Sequence, residues 1–139
     1  MIEAKGIHHI GIAVTSIAEQ RPFYENVLGG TFEGIEDVPG QKVRVAFFRF
    51  GSNSEGVRVE LLEPMSQDSP IAKHLAKRGP GLHHVAYLVD RIDERLEALR
   101  REGLPLIDEK PRPGAHHNMI AFVNPKGTHG VLTELCQPR

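Results

Sequence analysis

The chain holds a single cysteine, Cys136. An internal disulfide is therefore excluded, and a reducing compartment such as the cytoplasm is the natural setting. The net charge is only −1, which gives no footprint for nucleic acid or a membrane surface. No apolar stretch approaches the roughly 20 residues of a membrane span. Met1 leads straight into Ile2-Glu3-Ala4-Lys5, with no apolar leader. With 40% hydrophobic and 25% charged residues, the 139 residues read as one globular domain. The one excess is eight histidines.

Two of those histidines belong to a repeat. Gly6-Ile7-His8-His9-Ile10-Gly11 returns as Gly81-Leu82-His83-His84-Val85-Ala86, and Gly56-Val57-Arg58-Val59-Glu60-Leu61 returns as Gly130-Val131-Leu132-Thr133-Glu134-Leu135. His9 and Glu60 are 51 residues apart, His84 and Glu134 50 apart. Halves of about 70 residues are small for separate cores, so they are expected to share one. The expectation is one domain over 1–139, with repeats at about 5–65 and 80–138 joined by a short helical connector.

In the first half, a strand is expected over 7–14. Its period of two puts Ile10, Ile12 and Val14 on a core face and His9, Gly11 and Ala13 on an open one. Ser16-Ile17-Ala18-Glu19 is a capping box opening a helix with a core stripe of Ile17, Tyr24, Val27 and Leu28. Pro22 makes its first turn irregular, or the regular helix starts near it, and Gly29-Gly30 ends it. Strands follow over 31–38, 43–50 and 57–63, with a turn at Gly51-Ser52-Asn53-Ser54-Glu55-Gly56. Val57, Val59 and Leu61 are expected to face the core. Glu60 then points the other way, into a cup or into bulk water. Ser69-Pro70 caps the connector helix.

The second half repeats this scheme. A strand is expected over 82–89 and a helix over 90–102, with Ile92, Leu96 and Leu99 on one stripe. Strands over 104–108, 119–124 and 131–136 follow, with a loop at Pro111-Arg112-Pro113-Gly114. The fold class is α+β: tandem βαβββ modules forming a cupped eight-stranded mixed sheet.

Two imidazoles and two carboxylates at equivalent places suggest one divalent-metal site across a pseudo-twofold axis, with His9, Glu60, His84 and Glu134 as ligands. The set suits Co²⁺, Ni²⁺, Mn²⁺, Fe²⁺ or Zn²⁺. Such a metal polarises a carbonyl and stabilises an enolate oxyanion. A carboxylate on each side of the axis can take a proton from one face of a carbon and return it on the other.

These residues resemble the vicinal oxygen chelate, or glyoxalase-like, superfamily. Val59-Glu60-Leu61-Leu62-Glu63-Pro64, Asp68-Ser69-Pro70-Ile71-Ala72-Lys73 and Pro111-Arg112-Pro113-Gly114-Ala115-His116 look specifically like its methylmalonyl-CoA epimerase branch. The resemblance implies the quartet above as metal ligands, with Co²⁺ heading the expected ions. It also implies an acyl-CoA substrate, interconversion of its 2R and 2S forms, a homodimer, and Glu134 as one base. Val45 stands where some of these epimerases carry a second catalytic glutamate. Glu60 is then the candidate second base, with an ordered water as the alternative. A glyoxalase I-type lyase, which uses the same ligand types, is the nearest rival. An extradiol dioxygenase and a metal-free sequestering protein are further off.

Overall fold

The computed structural model describes residues 1–52 and 56–139. The expected turn over 51–56 thus falls partly on Asn53, Ser54 and Glu55, outside the described residues. The chain divides into two compact units. One is His9–His83; the other joins Met1–His8 to His84–Arg139. The elements are β1 (Gly6–Ala13), α1 (Ile17–Pro22), β2 (Thr31–Val38), β3 (Val43–Arg49), β4 (Arg58–Pro64), α2 (Pro70–Arg78), β5 (Gly81–Leu88), α3 (Ile92–Arg101), β6 (Arg112–Pro113), β7 (Met119–Val123) and β8 (Thr133–Gln137).

In the unit His9–His83, hydrogen bonding orders the strands β2-β3-β4-β1. β1 and β4 are parallel and the other pairs antiparallel. Helix α1 opens as the capping box requires, the Glu19 N–H donating to Ser16 Oγ at 3.2 Å. Pro22 has no N–H to give, and it ends the regular helix rather than disturbing its first turn. The next turn, Phe23–Val27, widens to a π-helix. There the Leu28 N–H donates to the Phe23 carbonyl, five residues back, at 3.0 Å. The extra residue rotates the expected stripe. Ile17 and Tyr24 are buried, but Val27 is 69% and Leu28 50% exposed, which corrects the sequence reading. At Gly30 the chain passes so close to Phe50, just after β3, that a Cβ would lie 2.8 Å from its ring and 2.9 Å from the Tyr24 carbonyl.

This helical segment covers one face of its strands. Ile17 and Tyr24 pack with Val14, Ala46, Phe48 and Leu61, and Ile12 and Val59 border the cluster. Val57, expected in the core, lies just before β4 and is exposed. Helix α2 starts as read: the Ala72 N–H donates to Ser69 Oγ at 2.9 Å.

In the other unit the order is β5-β8-β7-β6, again with one parallel pair, β5 and β8. Helix α3 buries Ile92, Leu96 and Leu99 against Val89, Ala121, Val123 and Leu135. Each such aliphatic side chain contributes about 1.5–3 kcal/mol on burial. The helix begins two residues later than read, because Asp90 does not cap it. Instead the Ile92 N–H donates to Gln137 Oε1 at 2.8 Å, while the Asp90 carboxylate binds Arg95 at 2.7 Å and Lys5 at 3.0 Å. Lys5 also donates its N–H to the Leu88 carbonyl at 2.8 Å, and Ile2 packs on the α3 cluster. These contacts tie Met1–His8 to the later half of the chain.

The strand expected over 104–108 does not form among the described residues; a single bridge pairs Leu106 with Val123. Pro105 lacks an N–H, and the N–H groups of Ile107 and Asp108 both go to the Phe122 carbonyl, at 3.0 and 3.2 Å. The Phe122 N–H in turn goes to the Asp108 side chain at 2.8 Å. The fourth strand position passes to Arg112–Pro113, inside the stretch read as loop. Among the described residues, no helix is long and apolar enough to cross a membrane.

Arg95 and Lys5 hold the Asp90 carboxyl well below the ordinary aspartate range. It is therefore more acidic folded than unfolded. Its contribution to stability is present above the ordinary value and is lost as pH falls below about 4. Asp90→Asn is expected to lower the melting temperature at pH 7, with the gap to the wild-type protein closing below about pH 4. Thermal unfolding followed by circular dichroism across a pH series checks this; a gap that does not change with pH would remove Asp90 as the cause.

Candidate metal centre

In the unit His9–His83, Glu60 pairs with Gly11 across the parallel β1–β4 ladder and with Phe47 across the β3–β4 ladder. His9 lies two residues before Gly11, so it shares that face. Its Nδ1 comes within 3.2 Å of Glu60 Oε2. The two residues are 4% and 7% exposed. Glu60 therefore faces a buried space rather than bulk water. Burial pushes its carboxyl up to about 8, with Glu36 adding to the rise and Arg58 opposing it. A carboxylate so placed is ionised at neutral pH only with a cation beside it.

The unit containing His84–Arg139 builds the same arrangement. Glu134 pairs with Ala86 across β5–β8 and with Phe122 across β7–β8. His84 lies two residues before Ala86. Its Nε2 is 3.5 Å from Glu134 Oε1, its ring stands edge-on to Phe122 with centroids 5.4 Å apart, and both polar residues are buried. In each unit, then, a small residue and a phenylalanine flank the glutamate, and the histidine sits one rung along.

Of the eight histidines, only His9 and His84 are fully buried. His74 and His83 form a separate edge-to-face pair with centroids 5.0 Å apart. Desolvation and the neighbouring His74 bring His83 down to about 4, a neutral packed ring. His116, His117 and His129 are exposed.

Sequence reasoning found all four members of the two pairs but gave the wrong balance of burial. The His9, Gly11 and Ala13 face of β1 is buried, while Ile10 and Ile12 opposite remain partly exposed. It also missed Phe47 and Phe122, whose role depends on the pairing of β3 and β7, and Glu36, which reaches Glu60 only through the register of β2. The donor set fits a divalent ion: imidazole nitrogens and carboxylate oxygens, buried, with one carboxylate calling for positive charge.

The chain belongs to the Glyoxalase/Bleomycin resistance protein/Dioxygenase superfamily, whose profile matches residues 8–122. Within it, the chain falls in the methylmalonyl-CoA epimerase family. The human mitochondrial methylmalonyl-CoA epimerase is 34% identical over 132 residues, covering 94% of this chain and 73% of that protein. A Streptomyces coelicolor methylmalonyl-CoA epimerase variant in complex with 2-nitronate-propionyl-CoA superposes with a TM-score of 0.92 at 35% identity, covering 98% of this chain and 99% of that one. The uncharacterized protein YqjC of Bacillus subtilis is 51% identical over 133 residues, 96% of this chain and 92% of that protein. The α+β fold of tandem βαβββ modules expected from the sequence is the fold these comparisons show.

Proposed function

We propose that this protein is an epimerase that interconverts the 2R and 2S forms of methylmalonyl-CoA. The observation that carries the reading is the duplicated buried His/Glu register, found in a chain whose relatives are named methylmalonyl-CoA epimerases. In this reading the two units act as one domain over 1–139. His9, Glu60, His84 and Glu134 together hold one divalent ion, with Co²⁺ first among Ni²⁺, Mn²⁺, Zn²⁺ and Fe²⁺. Bound there, the ion supplies Lewis acidity to the thioester carbonyl and lowers the acidity barrier at the alpha carbon.

The protein's own groups move the proton. Glu134 removes the alpha proton from one face of the carbon, and a second carboxylate, with Glu60 the first candidate, returns one on the other face. A carbon deprotonated on one side and reprotonated on the opposite side is inverted. Burial of both pairs keeps bulk water away from the planar intermediate. A cytoplasmic homodimer acting on a small acyl-CoA, with no nucleic-acid or membrane partner, fits the single free Cys136 and the near-neutral charge.

The deciding experiment is proton NMR of methylmalonyl-CoA in D₂O, with Co²⁺ and with chelator. Metal-dependent deuterium washout at the alpha carbon, together with interconversion of the epimers, is the expected result. A metal-loaded protein that leaves that carbon untouched but turns over the glutathione hemithioacetal would move the assignment to a glyoxalase I-type lyase.

Glu134→Gln keeps the shape of the side chain and removes the base. It is expected to slow washout by about 10²–10⁴-fold with an unchanged circular dichroism spectrum; full activity would strike Glu134 from the reaction. His84→Ala is expected to lose stoichiometric metal on dialysis, read by elemental analysis. An unaltered metal content would dissolve the proposed ligand set.

A further inference from the structure

We infer that Arg112 selects the acyl group at this site: its guanidinium binds the free carboxylate of a malonyl-type thioester. The inference rests on the epimerase reading above and deepens it.

The strand register of the unit containing His84–Arg139 places Arg112. It pairs with Ile120 across β6–β7, and Ile120 pairs with Cys136 across β7–β8. Phe122 and Glu134, each two residues along from these, pair with each other. Residues directly opposite in a ladder share a face, and so do residues two apart in one strand. Arg112 therefore shares one face of this unit with Phe122, Glu134 and His84.

A short chain of contacts fixes the guanidinium there. The Phe122 N–H donates to Asp108 Oδ2 at 2.8 Å, and Asp108 Oδ1 accepts from Arg112 Nε at 3.0 Å. The guanidinium carbon lies 5.8 Å from the centroid of the Phe122 ring, and that ring stands 5.4 Å from the His84 ring. Together these separations put the guanidinium at most about 11 Å from the His84 ring. An ion held by His84 at about 2 Å, a thioester oxygen on that ion, and a carboxylate on the adjoining carbon fit within that span. The carboxylate then accepts from the guanidinium at about 2.8 Å.

Asp108 takes only Nε. Nη1 and Nη2 have no acceptor among the described residues, and the side chain is 36% exposed. The end of the fork is open to a ligand, and its two parallel N–H donors match the two oxygens of a carboxylate. The other arginines of the unit are engaged on the far side. Arg95 binds Asp90, Arg91 binds Asp90 and Glu94, and Arg100 binds Glu97 and Glu109. These pairs border α3, which packs on the opposite face. Arg139 rests on Met119 Sδ at 3.6 Å, and Met119 packs on that same α3 cluster.

The reaction gives this cation a second use. The alpha carbon of a methylmalonyl group adjoins a carboxylate, so removing its proton places new negative charge beside charge already present. A guanidinium on the carboxylate offsets that repulsion while it holds the group. A neutral acyl chain offers it nothing. Arg112 binds and orients; it moves no proton.

The test compares the metal-loaded full chain of the wild type, Arg112→Gln and Arg112→Lys. Calorimetry gives the affinities for methylmalonyl-CoA and for propionyl-CoA, which lacks the carboxylate. Interconversion is also followed with methylmalonyl-pantetheine, which keeps the carboxylate but lacks the nucleotide phosphates. The metal is common to all three proteins, so a change in the ratio of the two CoA affinities reports the side chain. Arg112→Gln is expected to bind methylmalonyl-CoA about tenfold or more weakly and propionyl-CoA as before. Its KM is expected to rise for methylmalonyl-CoA and methylmalonyl-pantetheine alike. A ratio within about threefold of wild type overturns the inference. So does an equal loss of both CoA thioesters, or a KM effect confined to methylmalonyl-CoA, either of which assigns Arg112 to the CoA phosphates. If Arg112→Gln does not fold, Arg112→Lys carries the test. An ammonium keeps the charge but loses the two-point contact, so the ratio is expected to fall by about threefold or more; an unchanged ratio overturns the inference. A wild type that leaves the methylmalonyl alpha carbon unexchanged overturns the epimerase reading and this inference with it, whereas an active wild type with an unaltered ratio in Arg112→Gln overturns Arg112 alone.

Discussion

Glu60 and Glu134 project from strand faces from which water is almost excluded, and the surrounding structure is governed by the cost of keeping charge there. A carboxylate stripped of water either takes up a proton or finds a positive partner. An arginine would supply a permanent charge and neutralise the site. Each glutamate instead faces a histidine, a weak and adjustable partner that also ligates metals in its neutral form. The permanent charges stay at the margin, where Arg49 and Arg58 share Glu33. The result is two buried His/Glu pairs, His9 with Glu60 and His84 with Glu134, without a permanent charge at their centre.

That choice dictates what the opposite faces must do. A β-strand with a polar buried face cannot supply its own core from that side. The helices make up the difference: the α1 segment closes over Ala46, Phe48 and Leu61, and α3 over Ala121, Val123 and Leu135. One side of each four-stranded set is thus given to packing and the other to chemistry. Gly11 and Ala86 keep the chemical side open beside the glutamates. Because the period of a strand is two, a slip of one residue in either strand would send that strand's member of the pair into the helix-packed core. The packing face and the ligand face therefore enforce each other's register.

The repeat made much of this legible. His9, Glu60, His84 and Glu134 stood at matched positions in matched motifs, and strand parity separated them from their apolar neighbours. The Ile92, Leu96 and Leu99 stripe and the Ser16 and Ser69 caps were local signals, and they hold. What escaped depends on partners far away in the chain. The exposure of Val27 and Leu28 follows from a π-turn that starts directly after Pro22. The strand over 104–108 was lost to Asp108, whose side chain competes for the ladder. Glu36 had no motif at all; its place beside Glu60 comes from pairing β2 with β3, which no periodicity within a single strand reveals.

The membership of Met1–His8 in the unit built from His84–Arg139 bears on how the chain acquires its structure during synthesis. Domains fold as their residues emerge, and everything that His9–His83 contacts within its own unit is available once that stretch has been made. Met1–His8 is made before these partners and must stay unpaired until Leu88, Asp90 and α3 have left the ribosome. Such a waiting strand is the element that a neighbouring copy of the chain can capture, the usual route to arm exchange between molecules.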